Sequence, residues 1–282
     1  MKLERFEIRL LPRPAPGQTN KLDRPMNKSA SKSVLRRSKI LDLLLGGREV
    51  PIKEIAEKLD VSIMTVHRDL AELERNGAIT RVRGAVSAER SVIFESSYHF
   101  RSQKQIDEKR RLARAAIKHI EPGNALAWDD STTAYQMTEF IQEITPITVL
   151  TNGLPVIERL SNEPGVEMIA LGGKFSRGFN GFFGLQCEQA IASYVVDVAV
   201  MSSTTIRGIS LYTQDEQVVR MKRAMLKIAK KSVLLVDSSK FQFSALNYIA
   251  DLTDFDHVII SKDPGEEALA TLRSAGIDFE LV

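Results

Sequence analysis

The stretch IKEIAEKLDVSIMTVHRDLAELERNG, from Ile52 to Gly77, decides the N-terminal fold. Ile55, Ala56 and Leu59 recur at helical spacing, which predicts a short helix over 52–59 with one apolar face. Asp60-Val61-Ser62 is a tight connection ending in a good N-cap, because the Ser62 hydroxyl can accept a backbone N–H from the next turn. The helix that follows runs to about Asn76, with Met64, Val66, Leu70 and Leu73 apolar and Gly77 placed to stop it. Upstream, Leu35, Ile40, Leu43, Leu44 and Leu45 predict a further helix from Val34, halted by Gly46-Gly47. Downstream, residues 78–86 read as two short strands about a turn. Two helices joined by a short turn, the second capped and polar on its outer face and followed by a ribbon, make the winged helix-turn-helix plan.

In that plan the second helix enters the DNA major groove N-terminus first. Its groove-facing candidates are Ser62, Ile63, Thr65, His67 and Arg68. Arg68 suits guanine O6/N7 or a phosphate, and Thr65 a phosphate or a thymine methyl. Arg36, Arg37, Arg75, Arg81 and Arg83 can line the DNA backbone around it. A three-helix protein-interaction module with charged outer faces is the competing reading, and charge distribution weighs against it. Residues 1–120 hold 26 Lys and Arg against 15 Asp and Glu, a net of +11, whereas residues 121–282 hold 13 against 21, a net of −8. A basic front on an acidic back points to a polyanion partner for the front alone, here double-stranded DNA.

The remaining composition narrows the class. At 282 residues the chain is long for one domain and comfortable for two. No apolar run approaches the roughly 18 residues a membrane span requires, and the N-terminus lacks the apolar core and cleavage site of a secretory signal. The single cysteine, Cys187, excludes an intramolecular disulfide and is expected to be a small buried apolar residue. A cytoplasmic protein is the expectation. Four prolines and a Ser/Lys/Asn run mark residues 1–33 as a disordered tail, with Met26 an alternative initiator to Met1. His67, His99, His119 and His257 are scattered without paired ligand spacing, so no metal site and no cofactor is expected.

The head is assigned to 34–88, a linker to 89–105 and an α/β domain to 106–282. Residues 106–120 form a basic amphipathic helix with Ile106, Leu112, Ala113, Ala116 and Ile117 inward. Short apolar runs then alternate with helical segments. Strands are expected at 125–128, 147–150, 166–171, 195–201, 232–236 and 257–260, and helices at 133–144, 155–161, 185–193, 214–230 and 265–275. That alternation implies a parallel sheet covered on both faces, with any ligand at the carboxyl ends of the strands.

Ile52–Gly77, continued by Arg81-Val82-Arg83-Gly84-Ala85, closely resembles the DeoR family of bacterial regulators. The resemblance extends over most of 34–282. Glu108-Lys109, Asp129-Asp130-Ser131-Thr132-Thr133, Thr151-Asn152-Gly153-Leu154-Pro155, Leu171-Gly172-Gly173-Lys174, Met221-Lys222-Arg223 and Asp237-Ser238-Ser239-Lys240-Phe241 each fall on a family motif. It implies a sensor domain with a fold like ribose-phosphate isomerases and CoA-transferases, whose effectors are commonly phosphorylated sugars or related metabolites. His67 replaces the family's usual Arg, one wing glycine is missing, and Ser131 stands where the family has Gly. Ser202-Ser203-Thr204-Thr205-Ile206 is more polar than the family's counterpart.

The residues also support an anion site on their own chemistry. Ser131, Thr132 and Thr133 follow one strand and Thr151, Asn152 and Gly153 the next, and hydroxyls and backbone N–H groups at helix starts suit a phosphate. Simple capping is the plainer alternative for each. A Ser131 side chain is expected to crowd a close phosphate. Asp129, Asp130, Gly172, Gly173 and Lys174 complete the candidate rim, Asp215 and Glu216 are placed to meet sugar hydroxyls, and Lys222 and Lys240 to add countercharge. The expected function is a DNA-binding transcriptional regulator, a repressor released by its effector and working as a homodimer or homotetramer. A sugar-phosphate isomerase carrying a DNA-binding head is the main alternative, with Asp129, Asp130 or Asp215 as its base. An interaction scaffold is the third.

Overall fold

Seven strands make the central sheet of the C-terminal part: β4 (Ala125–Trp128), β5 (Ile147–Thr151), β6 (Val166–Ala170), β9 (Val196–Ser202), β12 (Ala229–Val236), β14 (His257–Ile260) and β15 (Glu280–Leu281). Their order is β15-β14-β12-β9-β4-β5-β6, and every neighbouring pair is parallel. The computed structural model describes residues 33, 36–37, 39–41, 43–44, 49–75, 79–87, 98–242 and 245–282. The strands of the centre are apolar on both faces, as a sheet covered twice requires. Ala127, Leu150, Ala199 and Leu234 pack into one cluster with Met221 and Met225. Trp128, Val149, Val200 and Val233 pack into the other with Leu112 and Ala116.

From β4 the chain adds β5 and β6 on one side, then returns to lay β9 against the other side of β4. The topological switch therefore falls between β4 and β9, where loops leave the strand ends in opposite directions and open a crevice. Asp129 follows β4 and Ser202 ends β9.

All six expected strands are present, five within a residue and the sixth, expected at 232–236, starting three residues earlier at Ala229. The sequence reading missed the hairpin of β7 (Lys174–Ser176) and β8 (Gly181–Phe183), and the small antiparallel sheet of β10 (Thr205–Arg207), β11 (Ser210–Thr213) and β13 (Asn247–Asp251). It also missed the two-residue β15. The segment expected to be helical over 133–144 is a 3-10 run, Ala134–Glu143. The helix expected over 214–230 ends at Ile228, where the chain passes directly into β12.

In the head, Arg36, Arg37, Lys39, Ile40, Leu41, Leu43 and Leu44 are helical. Two helices follow, Ile52–Leu59 and Ile63–Arg75, and a three-stranded sheet of β1 (Val50–Pro51), β3 (Ala85–Ser87) and β2 (Thr80–Val82) forms the wing. Ile40, Leu44, Ile55, Val66, Leu70 and Val86 are its core. Met64 does not join them: it is 64% exposed, and the buried polar position on that helix is Asp69. Ile106, expected inward, is also exposed. Leu35, Leu45, Gly46-Gly47, Gly77, the tail before Ser33 and residues 88–97 of the linker region lie outside the described residues. Within the expected linker, Tyr98–Ser102 is helical, and Tyr98 N–H donates to Gly178 O at 2.7 Å.

Candidate nucleic-acid interface and small-molecule site

Ser62 caps the head helix Ile63–Arg75 as expected, its Oγ accepting from Thr65 N at 3.2 Å and lying 2.9 Å from Thr65 Oγ1. The cap fixes the N-terminus from which Ile63, Met64 and Arg68 project into solvent. Arg68 forms no ion pair among the described residues. Thr65 and Arg68 border a groove shared with Arg36 and Arg37 of the first head helix.

The other head arginines divide by what they touch. Arg36 grips the buried carboxylate of Asp69 through Nε and Nη2, and Arg37 lies 4.0 Å from the same group. Arg36 thus ties two helices together. Arg81 pairs with Glu74 at 2.9 Å and lies 3.4 Å from His67 Nδ1, so the wing is latched to the recognition helix beside the family's variant position. Arg75 pairs with Glu72 at 2.7 Å. Arg83 is exposed in the wing turn before Gly84.

The crevice between β4 and β9 holds a small polar cavity of about 20 Å³, room for about one water molecule. Asp130, Ser131, Thr132 and Thr133 line one wall, Ser202, Ser203 and Thr204 another, and Lys222 and Lys240 close it from the helical side. Asp129, fully buried, is the anchor beneath. Its Oδ2 accepts from Ser202 N at 3.0 Å and pairs with Lys222 Nζ, and its Oδ1 accepts from Ser131 N at 3.0 Å. Lys222 Nζ also donates to Ser202 O at 2.8 Å. This buried pair bridges the two sides of the topological switch.

A second buried pair repeats the device at β12: Lys240 Nζ lies 3.6 Å from Asp237 Oδ2. Burial raises the Asp237 carboxyl, but Lys240, Lys109 and hydrogen bonds from Ser239 outweigh it and hold it below the usual carboxylate range. Burial pushes the Lys240 ammonium down. Asp130 accepts from Asn152 Nδ2 at 3.4 Å, and burial pushes its carboxyl up against the pull of Lys222. The Ser131 hydroxyl turns onto the 3-10 run and accepts from Ala134 N at 3.1 Å.

The other candidates take supporting positions outside the cavity lining. Thr151 Oγ1 accepts from Gly153 N at 3.1 Å, and a Cβ at Gly153 would come 3.1 Å from Asp130 Cα. Gly173 has φ +136°, and a Cβ there would meet Phe183 O at 2.5 Å, so the glycine admits the β7–β8 hairpin. Gly172 precedes it, and Lys174 is exposed on β7. Asp215 is an N-cap whose Oδ1 accepts from Gln217 N at 2.7 Å, and Glu216 pairs with Arg220 on the surface at 3.4 Å.

Sequence reasoning missed three groups. Arg101, in the expected linker, lines the cavity with Phe179. Buried Lys109 donates to Thr132 Oγ1 at 3.1 Å and to Arg101 O, and burial, opposed by Asp237, pushes its ammonium down to about 7. Glu108 accepts from Ser238 N at 3.0 Å and from the hydroxyls of Ser238 and Ser261 at 3.1 and 2.6 Å, tying β12 to β14. The Glu108-Lys109 motif was the available signal for the last two. Cys187 is buried as expected, and burial pushes its thiol up to about 12. His119 and His257 stack with ring centroids 4.0 Å apart, a contact their sequence separation hid. Among the described residues no three His, Cys, Asp or Glu side chains cluster as metal ligands, and no helix is long and apolar enough to cross a membrane.

Comparison with known proteins matches both parts of this arrangement. The family model described as the DeoR-like helix-turn-helix domain matches residues 36–92, and the DeoR C-terminal sensor domain matches residues 104–262. The chain is 31% identical over 252 residues to a putative aga operon transcriptional repressor of Escherichia coli O157:H7, covering 88% of this chain and 93% of that one. It is 29% identical over 242 residues to the HTH-type transcriptional repressor GlcR of Bacillus subtilis, covering 85% and 93%. Among solved structures, ribose 5-phosphate isomerase A from Methanocaldococcus jannaschii superposes with a TM-score of 0.35 and 16% identity, over 49% of this chain and 55% of that one. This chain, with its winged head and parallel-sheet sensor, belongs to the DeoR family of transcriptional regulators.

Proposed function

We propose that the chain represses genes of carbohydrate use and that a phosphorylated sugar or related metabolite, held in the β4–β9 crevice, releases it from operator DNA. The observation that carries this reading is the pairing of an exposed, capped recognition helix with a buried cation-rich cavity in one chain. On the DNA side, Arg68 reads a base or phosphate beside Ser62, Ile63, Thr65 and His67. Arg37, Arg75 and Arg83 follow the backbone, while Arg36 and Arg81 hold the helix and wing that present them. On the effector side, the hydroxyls of Thr132, Thr133, Ser203 and Thr204 supply hydrogen bonds. Lys222 and Lys240 supply fixed positive charge in a low dielectric. Thr151, Asn152, Gly153, Gly172, Gly173 and Asp215 shape the loops behind them.

The chain acts without catalysis in this reading. Asp129 and Asp237 are each committed to a lysine and to backbone N–H groups, which leaves no unengaged base among them. Asp130 is the carboxyl an isomerase would have to use. The aga operon and GlcR relatives are named repressors, whereas an L-fucose operon activator of Haemophilus influenzae is 27% identical over 206 residues; the repressor sign proposed here is the one named for the first two. The protein works in the cytoplasm as a dimer or tetramer that places two heads on repeated half-sites.

The test starts with thermal shift of the full chain against sugar phosphates, free sugars and polyols, since a ligand of the native state raises the melting temperature by mass action. A random duplex pool is then selected on the protein. An enriched duplex and a shift with a phosphorylated sugar are expected. No enrichment over background contradicts the DNA reading, silence across the panel contradicts the sugar reading, and turnover of ribose 5-phosphate contradicts the non-catalytic one.

A further inference from the structure

Arg101 belongs to the short helix Tyr98–Ser102, the first described structure after the wing strand that ends at Ser87. Its side chain nevertheless lines the sensor cavity together with Ser131–Thr133, Lys222 and Lys240. Its Nε and Nη2 are buried and make no hydrogen bond, and Arg101 forms no ion pair among the described residues. The guanidinium is held in place by packing: its Cζ lies 5.5 Å from the Phe179 ring centroid and 6.0 Å from that of Tyr98. Its backbone is held too. Lys109 Nζ donates both to Arg101 O and to Thr132 Oγ1, and Tyr98 N–H donates to Gly178 O.

The other cations of the cavity are matched. Lys222 has Asp129 and Lys240 has Asp237. A buried guanidinium with two unused donors on one edge is the geometry that grips two oxygens of one oxyanion at once. Unmet buried donors are rare because they forfeit their hydration, so each calls for a physical reason.

We infer that Arg101 is the bidentate ligand for the effector's anionic group, phosphate or carboxylate, and that the Tyr98–Ser102 helix is the element through which the filled cavity grips the chain leading to the DNA-binding head. This rests on the effector reading of the cavity and adds to it the anion's ligand and the route to the head. A filled site fastens Arg101 through its side chain as well as its carbonyl. The helix gains contacts in the liganded state only, which is what coupling between two sites requires.

The test uses the full-length chain. Inorganic phosphate, ribose 5-phosphate, glucose 6-phosphate, gluconate and the free sugars ribose and glucose are titrated by calorimetry into wild type, Arg101→Gln and Arg101→Lys, and amide exchange of 98–102 is followed in each. Wild type is expected to bind at least one anionic probe, with the 98–102 amides protected. Arg101→Gln is expected to lose tenfold or more in affinity for that probe, with any free-sugar affinity unchanged, and Arg101→Lys is expected to recover part of the loss. A merely structural role for Arg101 would lower charged and uncharged ligands alike. The active probe tells phosphate from carboxylate. Equal binding by wild type and Arg101→Gln, or unprotected 98–102 amides in the liganded wild type, overturns the inference and leaves the effector reading standing. Failure of wild type to bind any probe overturns both.

Discussion

Arg68 and Arg83 of the head stand in solvent, whereas Lys109, Lys222 and Lys240 of the sensor are buried at or beside the β4–β9 crevice. In the proposed function both regions meet an anionic partner with cations, and the contrast then follows from the partner's size. A duplex carries a row of phosphates with condensed counterions, so exposed arginines gain affinity by displacing those ions and remain free to follow the backbone. A small oxyanion offers one charge, and attraction to it is strong only where water is excluded and the cations are already positioned. The sensor fixes its lysines with buried aspartates. The head fixes its recognition helix instead, with Arg36 on Asp69 and Arg81 on Glu74, and leaves the reading residues loose.

The comparison breaks first on stability. Lys222→Ala leaves Asp129 buried without its cation and is expected to cost about 3–5 kcal/mol, measured by urea unfolding. A loss below about 1 kcal/mol, the scale of an exposed pair, would mean the sensor lysines are no better fixed than surface ones. In the head, Arg68→Ala is expected to weaken a selected duplex by about 1–3 kcal/mol with the melting temperature unchanged. Near-normal affinity would remove Arg68 from the interface. Arg83→Ala is expected to weaken all duplexes alike and to reduce the salt slope of log affinity by about 1. Sequence-dependent weakening would assign it to base reading.

Two smaller effects sharpen the electrostatics. Lys109 is pushed down to about 7 by burial, so at pH 8 it is mostly neutral. An anion beside it restores the charged form, and binding at pH 8 is expected to take up to about one proton, falling toward none near pH 6 where the lysine is already charged. Calorimetry in buffers of different ionisation enthalpy reads this directly, and Lys109→Met should abolish it. Uptake unchanged in that variant would place the proton elsewhere. For His119, burial, with His257 against it, lowers the folded-state value. The unfolded chain then binds the proton more tightly, so stability present above the usual imidazole range is lost as pH falls through it. His119→Gln is expected to flatten that acid limb slightly in melts between pH 5 and 7, and an unchanged limb would assign it to other groups.

What was legible in the sequence was local. The Ser62 cap, the turn at Asp60 and the apolar spacing of Ile55, Val66 and Leu70 each depend on residues a few positions apart, and the head followed from them. The six main strands were legible because buried parallel strands are short apolar runs. Arg101 was not, because a five-residue helix has too little periodicity to stand out of a linker and its cavity partners lie 29 to 139 residues downstream. Met64 is apolar on the same helix as Val66, Leu70 and Leu73, yet it sits on the exposed face. Asp215 and Gly173 are candidate ligand positions whose described contacts are a helix cap and a close hairpin. Caps and ligand loops share the same residue types, and only the fold separates them.

Coupling between the sensor crevice and the DNA-binding head is read by one titration. The full-length chain is bound to its selected duplex, and the anionic sugar that raises its melting temperature is added while DNA affinity is followed by fluorescence anisotropy. The account predicts a fall of roughly 5–150-fold, the range of typical coupling energies. An effector that saturates the cavity and leaves DNA affinity unchanged would contradict it.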